Sequence, residues 1–107
     1  MSKYLYLYRG PATAMEDFTP EQGEEQMKAW TDWMGKAAAS IVDQGNPLVP
    51  RASVRDDGGS AEPSDQNGYT IVAADDLAAA RALLDGHPFL TEGKGRFAVE
   101  IFEVLPM

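Results

Sequence analysis

An α+β domain, with one antiparallel sheet carrying its helices on a single side, is predicted by three features of this 107-residue chain. Strand-like alternation marks both ends, in Tyr4-Leu5-Tyr6-Leu7-Tyr8 and again from Phe97 to Val104. Two helical stretches with start signals each follow a strand-like run. The resulting order is strand, helix, strand, strand, helix, strand. With right-handed crossovers it gives a ferredoxin-like βαββαβ sandwich: a four-stranded antiparallel sheet with both helices on one face.

The first strand is expected over Lys3–Arg9, with the tyrosines on one face, Leu5 and Leu7 on the other, and Gly10-Pro11 ending it. After a polar connection, Thr19-Pro20-Glu21-Gln22 announces a helix: Thr19 can cap, Pro20 suits the first turn and Gln22 stands at the capping-box position. That helix is expected to run from about Pro20 to Gln44 and stop at Gly45, with the apolar stripe Met27, Trp30, Met34, Ala37, Ala38 and Ile41. Leu48–Arg55 reads as the second strand, an edge strand or bulged one because of Pro50. Asp56 to Gly68 is rich in turn formers and reads as a mobile hairpin connection. The third strand is expected over Gly68–Ala73. Asp75 or Asp76 then caps a helix with the stripe Leu77, Ala80, Leu83 and Leu84, ended by Gly86. The last strand spans Arg96–Val104.

Length argues for one domain over residues 1–107. The absence of cysteine removes disulfide frameworks, thiolate nucleophiles and cysteine zinc sites, and suits a reducing cytoplasm. A net charge of -8 is unsuited to phosphate backbones or anionic membranes, so no nucleic-acid or membrane partner is expected. The start lacks a signal-peptide pattern, and no apolar run approaches a membrane span. No cofactor is called for, and no His/Asp/Glu group has metal-ligand spacing. Gly93-Lys94-Gly95 is too short for a phosphate loop.

A sheet covered on one face alone usually alternates apolar with charged residues. Here Leu5 and Leu7 oppose the tyrosines, and Phe102 and Val104 oppose Val99 and Ile101, so neither face is polar. The simplest cover is a second copy, sheet against sheet, in a homodimer through the open face.

Taken together in order, several short motifs resemble the YCII-related (DGPF-like) proteins of bacteria. They are Tyr4-Leu5-Tyr6-Leu7-Tyr8, Trp30-Thr31-Asp32-Trp33, Gly45-Asn46-Pro47-Leu48, Gly68-Tyr69-Thr70-Ile71-Val72 and Gly86-His87-Pro88-Phe89-Leu90. The resemblance covers most of the chain, residues 11–18 and 56–67 excepted. It implies a dimeric α+β barrel type of assembly and a ligand cleft between sheet and helices. Most members have no assigned activity; wider relatives include a lyase of chloroaromatic breakdown, and muconolactone isomerases share the fold. Better-marked members carry a first-helix histidine and an aspartate before Pro-aromatic, a pair suggested to be catalytic. Here Trp30 or Trp33 stands at the first position and His87 at the second, so the pair does not carry over. The Asp-Gly-Pro-Phe signature is missing too: Ser60 to Asp65 holds Glu62-Pro63 and no match.

His87, the sole histidine, has two readings. It is a general acid or base, with Asp85 the nearest acid in sequence, or its imidazole caps the carbonyls that end the second helix. Asp32 points away from the helix stripe, toward solvent. Trp30 lies in the stripe as core. Trp33, at the stripe's edge, either walls a cleft or simply packs. Tyr6 and Tyr8 either line a pocket and hydrogen-bond a ligand, or fill a dimer interface. Arg51 and Arg55 either bind a ligand carboxylate or pair with the surplus acids.

The expected function is that of a YCII-like small-molecule-binding or accessory protein, without an intact catalytic pair. Its ligand site would draw on Trp33, Tyr6, Tyr8 and Arg55. One alternative is a lyase or isomerase acting on a small aromatic-derived or muconate-like acid, with His87 as general acid/base. The other is a purely structural dimeric interaction module.

Overall fold

The computed structural model describes residues 1–10, 19–90, 93 and 95–106. Its elements in order are β1 (Ser2–Arg9), α1 (Pro20–Ala37), β2 (Ile41–Asp43), β3 (Ser53–Val54), β4 (Ser60–Ala61), β5 (Gln66–Ala74), α2 (Leu77–Ala82), a 3-10 turn (Pro88–Leu90) and β6 (Ala98–Val104). The connection expected over residues 11–18, and Lys94 in its glycine loop, lie outside the described residues.

β2, β5, β1 and β6 form a four-stranded sheet in that order, every neighbour antiparallel. Of its four strands in chain order, the first (β1) and third (β5) therefore occupy the centre, as a ferredoxin-like fold requires. Period-two alternation along β1 sends Tyr4, Tyr6 and Tyr8 to one side, where all three are buried. Both helices pack on that side, because the Tyr6 hydroxyl donates to the Ala80 carbonyl of α2 and its ring meets Trp33 of α1. Val72 and Ala74 of β5, Ala37, Ala80 and Leu84 complete the core.

The helix starts form as their caps dictate. Thr19 Oγ1 accepts the Gln22 amide at 3.1 Å, and the Gln22 side chain accepts the Thr19 amide at 3.0 Å, closing the capping box. At α2 the cap is Asp76, which accepts the Ala79 amide at 2.8 Å.

The middle of the chain departs from expectation. α1 ends at Ala37, not Gln44, and Ile41–Asp43 forms the edge strand that Leu48–Arg55 was expected to supply. Sheet pairing overrides helix propensity here: Ser40 accepts the Ala73 amide at 2.8 Å, and the β-branched Ile41 pairs with Val72. Gly45 is not a helix stop. At φ 74 it turns the chain beside the Tyr69 carbonyl, where any Cβ would collide.

Pro47 and Pro50 lack amide protons, so the following stretch cannot sustain a ladder. Pro47 makes a single bridge with Gly68, and Leu48 donates to the Asn67 carbonyl at 2.9 Å. Only Ser53–Val54 becomes strand, in a separate two-stranded sheet with β4. The expected mobile connection thus holds a hairpin, closed by the Arg55 amide on the Gly59 carbonyl at 2.7 Å.

The far side of the main sheet carries no helix among the described residues. Leu5 pairs with Ile71 on one flank and Phe102 on the other. Leu5, Leu7 and Ile71 are half-buried by their neighbours, while Phe102 and Val104 remain 48% and 43% exposed.

Candidate functional site

A cavity of about 260 Å³ lies between α1 and the sheet, at the end where β1, β5 and the segment after β2 converge. Tyr8, Trp30, Met34 and Phe89 supply its apolar walls, and Thr70, Gln44, Asn46 and Asn67 its polar groups. None of the described residues that line it is charged. A cavity of about 150 Å³ is enough to hold a benzene-sized ring, so this one has room for a single substituted ring.

The local sequence opens the space. Tyr8 lies opposite Gly68 in the β1–β5 register, and a Cβ on Gly68 would stand 3.2 Å from the Tyr8 ring. Two residues further along the same face comes Thr70, whose Oγ1 is 2.6 Å from the Tyr8 hydroxyl. Trp30 meets the Tyr8 ring edge-on at 5.6 Å, and Phe89 meets it at 5.2 Å.

These hydroxyls belong to a hydrogen-bond chain whose direction the end groups fix. The Gln44 carbonyl can only accept, so the Thr70 hydroxyl donates to it, at 3.1 Å. With its proton committed, Thr70 accepts from Tyr8. At the other end the Phe89 amide can only donate, so His87 Nδ1 accepts it, at 3.0 Å. The imidazole proton therefore sits on Nε2 and is donated to the Tyr8 oxygen at 3.1 Å. The sequence Phe89 N–H, His87, Tyr8, Thr70, Gln44 C=O is thus a single directed chain of neutral groups.

Burial keeps it neutral. His87 is 1% exposed, enclosed by the rings of Trp33 at 4.3 Å, Trp30 at 4.8 Å and Tyr8 at 5.1 Å. Burial lowers its pKa from 6.5 to about 4. It pushes the Tyr8 phenol up to about 12. Burial likewise raises Tyr6 to about 12.

The sequence-derived candidates separate. Tyr8 lines the cavity, and His87 stands directly behind it. Tyr6, fully buried, uses its hydroxyl on Ala80 instead. Trp33 is buried, with Nε1–H donating to the Leu83 carbonyl at 2.9 Å, whereas Trp30 is half-buried at the cavity wall. The two indoles thus exchange the places that the stripe geometry assigned. Once α1 ends at Ala37 and Met27 faces solvent, the stripe reduces to Trp30, Trp33, Met34 and Ala37, and its centre turns about 40° toward Trp33.

Arg55 lies on the β3–β4 hairpin, paired with Asp57 at 3.3 Å, and is not among the residues lining the cavity. Arg51 and Asp32 are exposed.

The imidazole does not cap α2. Tyr6, Trp33 and the Lys36 ammonium (2.7 Å from the Asp85 carbonyl) take the carbonyls at that end, and His87 instead heads the 3-10 turn through Phe89. Asp85 contributes a carbonyl there and does not bond the imidazole.

Sequence reasoning passed over Thr70, Gln44, Met34 and Phe89 as site residues. Strand parity held one usable signal, since Thr70 is a polar residue on the helix-facing side, in line with Val72 and Ala74.

No protein-family model matches the chain, and no curated protein matches it in sequence. Among solved structures, it resembles 5-chloro-2-hydroxyhydroquinone dehydrochlorinase (TftG) from Burkholderia phenoliruptrix AC1100, determined in complex with 2,5-dihydroxybenzoquinone. The TM-score is 0.60 over 96% of this chain and 93% of that chain, at 14% sequence identity. The likeness establishes the fold, and the neighbour is an enzyme of a hydroquinone-type aromatic substrate.

Proposed function

We propose that this protein is a YCII-like small-molecule-binding protein whose cavity between α1 and the sheet takes one neutral, ring-sized, hydroxylated molecule. The observation that carries the reading is the lining itself: aromatic and Met walls around a buried hydroxyl pair, with no charged side chain among the described residues. Carboxylates and muconate-like acids are disfavoured by that lining, since an anion would enter without a counter-charge. The named substrate of the structural neighbour, a chlorinated hydroxyhydroquinone, is of the favoured class. Homodimerisation through the open sheet face belongs to the same reading, supported by the exposed Phe102 and Val104 beside Leu5 and Leu7. So does residence in the cytoplasm, which the lack of cysteine suits.

A second reading, a lyase or isomerase, is favoured by the hydrogen-bond chain that joins His87 to the cavity wall through Tyr8. As a resting base His87 is poorly prepared. Its Nδ1 is occupied, its Nε2 already donates, and burial holds it neutral.

A thermal-shift screen tests the binding reading, because a ligand of the folded state raises the melting temperature by mass action. Hydroquinone and catechol are expected to stabilise the protein, and benzoate and muconate to leave it unchanged. A panel in which the acids alone stabilise would refute the reading. Turnover of a stabilising compound, lost in His87→Gln, would transfer support to the enzyme reading.

A further inference from the structure

The direction of the hydrogen-bond chain carries a consequence for ligand choice, resting on the binding reading above. Thr70 and Tyr8 each own one hydroxyl proton, and both protons are committed: Thr70 to the Gln44 carbonyl and Tyr8 to Thr70. One lone pair on each oxygen is committed as well, Tyr8 accepting from His87 and Thr70 from Tyr8. What the two hydroxyls have left is acceptor capacity alone, one lone pair on each oxygen.

We propose that the Tyr8–Thr70 end of the cavity selects ligands that donate a hydrogen bond, so that phenols and hydroquinones are bound and their ethers or quinones are rejected. A phenol places its O–H on a free lone pair and leaves the internal chain intact. An ether or quinone oxygen brings a second lone pair against the first, and neither side has a proton to share. To gain one, Tyr8 would have to release Thr70, leaving a buried hydroxyl acceptor unpaired. His87 cannot relieve the conflict by reversing its tautomer, because the Phe89 amide holds Nδ1 as an acceptor. His87 is in this sense a positioning residue: it sets which way the Tyr8 hydroxyl faces without touching the ligand.

The test is isothermal titration of the full chain with matched pairs, phenol against anisole and hydroquinone against 1,4-dimethoxybenzene. An unpaired buried polar group costs enough that the phenol of each pair is expected to bind about tenfold or more tightly. Equal affinity within both pairs would overturn the donor rule while leaving the cavity as the binding site. No binding by either member of either pair would overturn the binding reading and the donor rule together. Thr70→Val supplies the second arm. With its acceptor removed, the Tyr8 proton becomes free to enter the cavity, and the phenol-to-ether ratio is expected to fall toward one. A ratio unchanged in a folded Thr70→Val protein would contradict the role assigned to the chain.

Discussion

Two ends of the same buried layer use the same residue types to different effect. At the α2 end, Tyr6 and Trp33 direct their polar atoms onto the Ala80 and Leu83 carbonyls. At the cavity end, Tyr8 and Trp30 stand beside open volume, and Tyr8 joins a hydrogen-bond chain that ends on neither α1 nor α2. The difference arises from what faces each pair. A short helix presents orphan carbonyls that need donors, and Tyr6 and Trp33 supply them. Opposite Tyr8 stand Gly68 and the turn at Gly45, which leave a gap rather than a demand. Tyrosine and tryptophan are therefore structural at one end and available to a ligand at the other.

The sharpest way to break this contrast is to truncate both indoles. Trp33→Ala should cost about 3–5 kcal/mol in urea denaturation, as for a fully buried aromatic. Trp30→Ala, at a half-open wall, should cost no more than about 2 kcal/mol. Equal losses would show the cavity end to be as closed as the other.

The next effect is a pH dependence. His87 has a folded-state pKa of about 4 against an ordinary 6.5, so as pH falls the unfolded chain takes the proton first. Stability should be fully present above about pH 6.5 and fall toward pH 4, by an amount on the order of 3 kcal/mol for complete burial of the neutral form. Carboxylates begin to titrate at the lower end of that window. The measurement is therefore the difference between wild type and His87→Gln from pH 6.5 to 4.5; parallel curves would contradict the assignment.

Tyrosine hydroxyls give a smaller, two-channel comparison. Tyr6→Phe leaves the Ala80 carbonyl unpaired and should cost about 1–3 kcal/mol, with ligand affinity unchanged. Tyr8→Phe removes a partner from both Thr70 and the buried His87 Nε2–H, so it should cost at least as much stability and, unlike Tyr6→Phe, weaken hydroquinone binding. The reverse pattern in calorimetry would exchange the roles of the two ends. Thr19→Ala, remote from both, should cost about 1 kcal/mol through loss of the capping box and leave binding untouched, which makes it the control.

The fold was legible where local signals and pairing agree. Tyr4 to Tyr8 alternates and forms the central strand, and the caps at Thr19 and Asp76 close as their side chains dictate. It was illegible where they conflict. Ala37-Ala38-Ala39 is helix-prone, yet the sheet requires an edge strand at Ile41, and no local property of the alanines reveals that demand. That one boundary also shifts the helix stripe, so Trp33 takes the packing reading of its two, and Trp30, expected as core, stands half-buried at the cavity wall. His87 was conspicuous from sequence, but its partners lie 79 and 2 residues away, at Tyr8 and Phe89, and periodicity cannot supply the first. Arg55 drew notice by its charge alone, and the hairpin carries it to an acid partner.

Whether a neutral hydroxylated ring occupies the gap beside Tyr8 is tested most directly by a crystal structure of the protein grown with saturating hydroquinone. The expected result is a ring held between Trp30 and Phe89, with one hydroxyl within hydrogen-bond distance of the Tyr8 oxygen. Hydroquinone bound on the open sheet face, or a cavity holding only water at saturation, would contradict it.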